Sequence, residues 1–284
     1  MATVTPLLTT PTLTVGEFHC PPDDASWRET NRIGDRAHLV FPRRSVLIRQ
    51  LGREPVLATP NHTMLYNADQ HYRRELHNSL GDHSVFVELS DESLAGAGAE
   101  CLDDAGRLRV THLPTDRRTH LLQHLLVRQL RSGGEGGLAA EEHATRLVLS
   151  ALAATPRRAR RSNRQRTTAA HRELAEAAKS ELAADLGARK TLGELARKLH
   201  ASPFHLARVF QAETGFTLAR YRQALRLRAA LERLPASERD LSALALELGF
   251  SSHSHFTSSF TREYGMPPSA LRNPRRVRAL LDAA

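Results

Sequence analysis

The sequence predicts an α+β chain, with a β-rich front that turns helical before an all-α back half. Three observations carry this. Between Leu13 and Val110, short apolar stretches recur about every 8–12 residues between turn clusters, the spacing of a sandwich or small barrel. From Thr191 to Gly265 one helix–turn–helix pattern occurs twice. Charge also divides: residues 1–155 hold 16 Lys/Arg against 19 Asp/Glu, and residues 156–284 hold 24 against 12. A chain of 284 residues is long enough for two domains.

Taken in order, residues 1–11 are small and polar with two prolines, and are expected to be a loose lead-in. Strands are expected at Leu13–Phe18, His38–Phe41, Ser45–Ile48, Val56–Ala58, Thr63–Tyr66 and Val85–Leu89. Turn material such as Pro21-Pro-Asp-Asp24, Pro42-Arg-Arg44, Pro60-Asn61 and Gly81-Asp82 separates them. Phe18, Trp27, Phe41, Tyr66, Tyr72 and Phe86 either line a cavity for one small molecule or fill a core.

Ten of the fifteen histidines lie in this front half, among them His19, His38, His62, His71, His77 and His83. No His-x-His pair occurs before residue 250, and His253-Ser-His255 falls in an expected helix, where i and i+2 do not share a face. The histidines are therefore read as surface or turn residues, with no metal and no cofactor. A Gly-rich phosphate loop, a His-Glu-x-x-His and a Gly-x-Ser-x-Gly pattern are all missing, so no catalytic residue is assigned. Two cysteines, Cys20 and Cys101, exclude a disulfide-rich scaffold and a four-cysteine zinc site.

Residues 116–155 read as two helices. Leu121, Leu122, Leu125, Leu126 and Leu130 mark the first; Ser132-Gly-Gly-Glu-Gly-Gly137 breaks it; Ala144, Leu147, Val148 and Ala151 mark the second. They either close the barrel or meet the same pair from another chain. Pro156–Arg166 carries six arginines and no apolar face, which suits a linker spanning 156–169. His171–Leu186 is expected to be the helix that opens the next domain, residues 170–275, and 276–284 is a tail.

In the repeat, Leu192/Leu241, Leu195/Leu244, Ala196/Ala245 and Leu199/Leu248 share an offset of 49, and Ser202/Ser252, Leu206/Phe256, Phe210/Phe260 and Gly215/Gly265 an offset of 50. Thr191 with Glu194 forms a capping box, and Leu192, Leu195, Ala196 and Leu199 form an apolar stripe. Ser202 caps a second helix that has Pro203 at its first position, and Ser251 or Ser252 does so in the second copy. Gly249 ends the preceding helix with φ > 0. Leu206, Val209, Phe210, Phe256 and Phe260 face inward. Phe204, His205, Arg208 and Gln211 face outward in one copy, and His253, Ser254, Thr257, Ser258, Thr261 and Arg262 in the other. Leu218–Leu234 is a continuous helix of about 25 Å, with Leu218, Tyr221, Leu225 and Leu231 on its buried side. That strut suits two reading helices spaced about one turn of DNA apart, roughly 34 Å.

Leu195-Ala196, Ser202-Pro203, Leu206-Ala-Arg208-Val-Phe210, Gly215-Phe216, Tyr221 and Arg226 resemble the DNA-binding domain of AraC-type bacterial transcription regulators. So do Leu248-Gly-Phe250, Ser254-His-Phe256, Phe260, Tyr264-Gly265 and Pro268-Ser-Ala-Leu-Arg272. The resemblance covers roughly residues 170–275. It implies a cupin-like β-barrel over residues 1–115 that senses a small molecule and helps dimerise, and Phe41-Pro-Arg-Arg44, Asp69-Gln-His-Tyr72 and Gly81-Asp82 are similar to such a domain. The family often carries Arg or Lys where this chain has Ser258 and Thr261, which implies a smaller contribution from the second reader.

The function expected is sequence-specific binding of double-stranded DNA by a regulator, with RNA polymerase as a further partner and a homodimer as the assembly. Ser202, Phe204, His205, Arg208, Gln211, Ser252, His253, Ser254, Thr257, Ser258 and Arg262 are the candidate DNA contacts. Arg208 is assigned direct readout of a guanine. The basic back half, in a chain of net charge +9, fits a phosphate backbone. An anionic membrane surface is disfavoured as the partner, because no basic amphipathic helix with bulky apolar residues opposite stands out. No apolar run approaches the roughly eighteen residues of a membrane span, and the start of the chain lacks the features of a signal peptide. A cytoplasmic, nucleoid-associated protein is expected. The alternative is a metal-dependent β-barrel enzyme with a basic helical appendage; a DNA-repair protein would require a reactive cysteine cluster in front.

Overall fold

The computed structural model describes residues 1–98, 101–132, 137–154, 169–234, 240–273, 276 and 279–281. The expectations for the arginine-rich linker 156–166, for Gly133–Gly136 and for most of the tail 274–278 lie outside the described residues. Two compact units emerge, residues 1–155 with 263–284, and residues 156–262.

The first unit is built on two sheets. Strands β1 (Thr3–Thr9), β2 (Leu13–Cys20), β3 (Asn31–Arg32), β4 (Ala37–Pro42) and β5 (Val46–Gln50) come first in the chain. They are followed by β6 (Val56–Ala58), β7 (His62–Tyr66), β8 (His71–Leu76), β9 (Asp82–Leu89) and β10 (His112–Pro114). The six-stranded sheet runs β1-β2-β9-β4-β7-β10 and the four-stranded sheet β3-β8-β5-β6. All of their pairings are antiparallel.

Alternation along the strands decides what each face does. On β2, β4 and β9 the residues Leu13, Val15, Leu39, Val85, Val87 and Leu89 are buried on one face of the larger sheet. The intervening Phe18, His38, Val40, Ser84 and Phe86 turn toward the other sheet and line a cavity with Val46, Ile48, Met64, Tyr66 and Tyr72. Phe41 falls on the first face with Leu39, so it does not line the cavity. Trp27 packs over the Arg74 guanidinium.

Residues 1–11 are not a loose lead-in. Thr3–Thr9 forms β1, registered against β2 from Thr3↔His19 to Thr9↔Thr14 with an irregularity between Pro6 and Leu8. An edge strand can be exposed on both faces and can hold a proline at no cost to the ladder, so it shows no apolar alternation.

This unit also holds the helices α1 (Asp91–Gly98), α2 (Arg117–Arg131) and α3 (Leu138–Leu152). Asp116 caps α2, its carboxylate accepting from Thr119 N at 2.7 Å. Arg131 donates from Nε and Nη2 to Glu17 on β2 at 2.8 and 2.6 Å, Arg43 Nη1 lies 3.3 Å from His124 Nδ1, and Thr12 Oγ1 donates to Glu141 on α3 at 2.6 Å. These bonds hold both helices to the larger sheet. Several histidines are not surface residues: His62, His120, His124 and His143 are buried. His62 Nδ1 accepts from Thr59 N at 3.2 Å, so the ring closes the turn into β7.

Burial alone would raise the carboxyl of Glu17, but hydrogen bonds and charge from His83 and Arg131 overcome this and hold it at about 2, against an ordinary 4.5. A depressed acid stabilises the fold above its unfolded value, and that stabilisation disappears as pH falls from about 4.5 to about 2. With the Arg131 partner half-exposed and screened by solvent, the first unit is expected to lose about 1–2 kcal/mol across that window. Glu17→Gln should flatten the acid limb of a melting-temperature profile, and an identical profile in the variant would contradict the pairing.

The second unit holds α4 (Ala169–Ala184), α5 (Leu192–Lys198), α6 (Pro203–Thr214), α7 (Leu218–Arg233), α8 (Leu241–Glu247) and α9, which begins here and runs His253–Tyr264. Its first core joins Ala175, Ala178 and Leu182 of α4 to Leu195 and Ala196 of α5, Leu206 and Phe210 of α6, and Tyr221 and Leu225 of α7.

Candidate nucleic-acid interface

The two copies of the repeat fold alike down to their backbone exceptions. In the first copy Thr191 Oγ1 accepts from Glu194 N at 3.2 Å while the Glu194 carboxylate accepts from Thr191 N at 2.7 Å, a complete capping box. In the second, Asp240 caps α8 by accepting from Ser242 N at 2.8 Å. The turn after each first helix needs one left-handed residue: His200, with φ of 52°, in one copy and Gly249, with φ of 76°, in the other. Ser202 Oγ accepts from His205 N at 3.2 Å and Ser252 Oγ from His255 N at 3.1 Å, so Ser252 rather than Ser251 is the cap. After the reading helices, Gly215 and Gly265 both take left-handed φ, at 75° and 73°.

Each reading helix buries one face. Leu206, Val209 and Phe210 are buried on α6, and Phe256, Ser259 and Phe260 on α9. The Phe210 ring meets Tyr221 edge-on at 5.4 Å, and Phe256 meets Phe260 at 5.7 Å. The stripe proposed for α5 needs one correction. Leu195 and Ala196 are buried, but Leu192 is 42% exposed, because it is the first residue after the cap and precedes the turn that reaches the core.

The opposite faces carry the candidate contacts. Ser202, Phe204, Arg208 and Gln211 are exposed and His205 is half-buried; Phe204, a large apolar side chain, is 90% exposed. Arg208 Nη2 lies 3.5 Å from His205 Nδ1, one turn back along the helix. On α9, Ser252, His253, Ser254, Ser258, Thr261 and Arg262 are exposed and Thr257 is half-buried. Polar groups here are partly spent within the helix: Ser258 Oγ donates to His255 O at 3.1 Å, and His253 Nε2 lies 3.4 Å from Thr257 Oγ1. Both reading helices thus present a capped N-terminus, which favours phosphate. The first copy adds a guanidinium and an aromatic ring.

A reading of the motif alone leaves Arg226 without a role. It is buried on α7, where Nε donates to Leu186 O at 2.7 Å, Nη2 to Ala188 O at 2.9 Å and Nη1 to Gly249 O at 3.0 Å. One side chain therefore ties the loop after α4 to the turn of the second copy. A Cβ on Gly249 would meet Arg226 Nη2 at 2.4 Å, so this glycine serves a close approach as well as its φ. Burial lowers the Arg226 guanidinium to about 10, still charged at neutral pH. The signal was present in the spacing: Arg226 stands at i+8 from Leu218, on the Leu218–Tyr221–Leu225 stripe, where a charge must find internal partners.

Among the described residues, no group of three or more His, Cys, Asp or Glu side chains is arranged to hold a metal ion. No helix among them is long and apolar enough to cross a membrane.

A family model described as a helix-turn-helix domain matches residues 195–274. The bifunctional transcriptional activator/DNA repair enzyme AdaA of Bacillus subtilis is 30% identical over 87 residues, 31% of this chain and 41% of that protein. The HTH-type transcriptional activator RhaR of Yersinia pestis is 32% identical over 93 residues, 33% of this chain and 32% of its own length. The alignments thus span about a third to two fifths of these relatives. A solved transcriptional regulator with an AraC-type DNA-binding domain, from Chromobacterium violaceum, is 25% identical, covering 38% of this chain and 96% of its own, with a TM-score of 0.35. Residues 195–274 belong to the AraC type of DNA-binding helix-turn-helix domain.

Proposed function

We propose that the whole chain is a sequence-specific transcription regulator of double-stranded DNA. Residues 170–275 bind the operator, 156–169 act as a linker, 116–155 pack or dimerise, and 1–115 sense a small effector. The observation that carries this reading is the outward row Phe204, Arg208 and Gln211 on a helix whose other face is core, repeated in position on α9. Arg208 is the direct reader, and Phe204 suits a thymine methyl. His205, Gln211, His253, Ser254, Thr257, Ser258 and Arg262 supply further polar contacts to bases or phosphates, and Ser202 and Ser252 hold the helix N-termini at the backbone. A homodimer and contact with RNA polymerase belong to the same reading. A catalytic role is not assigned; Cys20 and Cys101 are both buried, which does not suit the reactive thiol of a repair enzyme.

Selection of bound sites from a random DNA pool should return a consensus. On that consensus Arg208→Ala is expected to weaken binding by about 1–3 kcal/mol and to relax one base position. Equal loss on random DNA would make Arg208 a phosphate contact, and a pool that yields no consensus would overturn the regulator reading.

A further inference from the structure

The cavity between the two sheets of the first unit has a volume of about 340 Å³, within the roughly 300–1,000 Å³ of small-ligand sites. Much of its wall is apolar, with Val40, Ile48, Met64 and Phe86 facing in. One side is different. Tyr66 and Tyr72 line it with their rings 5.1 Å apart, and neither hydroxyl is bonded to another described residue. Asp82 lines it too, with its side chain 8% exposed. Asp82 Oδ2 accepts from Arg74 Nη1 at 3.3 Å, but Oδ1 is buried without a hydrogen-bond partner. A buried carboxylate oxygen left this way is costly unless an occupant of the cavity supplies a donor.

The cations nearby are already committed. The Arg74 guanidinium is stacked against Phe18 at 4.6 Å and Trp27 at 4.9 Å. Besides Asp82 it donates to Ser26 Oγ at 2.7 Å and Cys20 Sγ at 3.4 Å. Arg32 at the cavity wall is bonded to Asp69, and His38 Nε2 lies 3.1 Å from Glu88 Oε1. What remains on offer is acceptor oxygen and the hydroxyls of Tyr66, Tyr72 and Ser84, against an apolar wall. An anion would meet Asp82 and Glu88 with no uncommitted cation among the described lining residues, and a polyol would leave most of its hydroxyls against Val40, Ile48 and Met64.

We infer that this cavity binds a small amphipathic molecule with a ring-sized apolar body, an O–H or N–H donor at one end and no negative charge. The donor bonds Asp82 Oδ1, the hydroxyls of Tyr66 and Tyr72 flank it, and the body lies against Met64 and Phe86. The inference rests on reading the front domain as an effector sensor and names the chemistry that sensor takes.

Isothermal titration of the full chain with 2-phenylethanol, 2-phenylethylamine and phenylacetate separates the possibilities, because the three share a body and differ in the end group. The alcohol and the amine are expected to bind at least about tenfold more tightly than the acid. Asp82→Asn should bring both down to the level of the acid; if that variant does not fold, Tyr66→Phe should weaken the alcohol with the melting temperature preserved. Phenylacetate binding as tightly as the alcohol, or an end-group preference that survives both substitutions, overturns the ligand class and leaves the sensor reading standing. Failure of all three to bind overturns the inference and the sensor reading together, while operator binding, measured on the same preparation, reports separately on the DNA-binding reading.

Discussion

Phe210→Ala is expected to destabilise the second unit by about 3–5 kcal/mol, the usual cost of removing a phenyl ring from a packed core. Phe210 is fully buried, where it belongs to the same cluster as Leu195, Leu206, Tyr221 and Leu225 and meets the Tyr221 ring edge-on. Four helices share that cluster, so the cavity cannot collapse by the shift of one side chain. The loss should appear as an earlier urea transition of the helical unit, with specific DNA binding falling in parallel. An unchanged transition would mean that Phe210 does not face the core and that the outward row on α6 is misassigned.

Arg226→Met is expected to cost about 3 kcal/mol or more, because three main-chain carbonyls, of Leu186, Ala188 and Gly249, lose a charged donor at once. Methionine keeps much of the stem's volume, so the deficit reports the hydrogen bonds rather than a void. Arg226→Lys keeps the charge but not the planar fork that serves three acceptors, and should recover only part of the loss. The effect on DNA should exceed the effect on folding. With the bracket gone, the second copy is no longer fixed to the loop after α4, and both readers must pay an ordering cost on binding. Measured at a temperature where the variant is folded, operator affinity should still be reduced; full affinity there would contradict the role of Arg226 in setting the spacing of the two copies.

The back half was legible because its signals are local. Thr191 and Glu194 cap within four residues, Ser202-Pro203 starts a helix at one place, and Leu206, Val209 and Phe210 mark a face by spacing alone. Glycine signals left-handed turns at Gly215, Gly249 and Gly265, whereas His200 takes the same conformation without announcing it. Arg226 was legible as part of a motif but not as a bracket, since its three acceptors come from segments 23 to 40 residues away.

The front half was less legible because its strands depend on partners. β1 pairs only through its backbone while its side chains stay largely exposed. In β8 the one buried inward position is Arg74, an arginine hidden by Phe18 and Trp27, so no apolar alternation marks the strand. Polar side chains buried under α2, such as Gln123 and His124, likewise look like surface until the sheet beneath them is in place.

The central claim is that two equivalent helices, α6 and α9, enter successive major-groove segments of one duplex. Hydroxyl-radical footprinting on a selected site tests it most directly. The account predicts two protected segments on the same face, about ten base pairs apart, with Arg208→Ala weakening one of them and Arg262→Ala the other. A single protected segment that answers to Arg208 alone would contradict it.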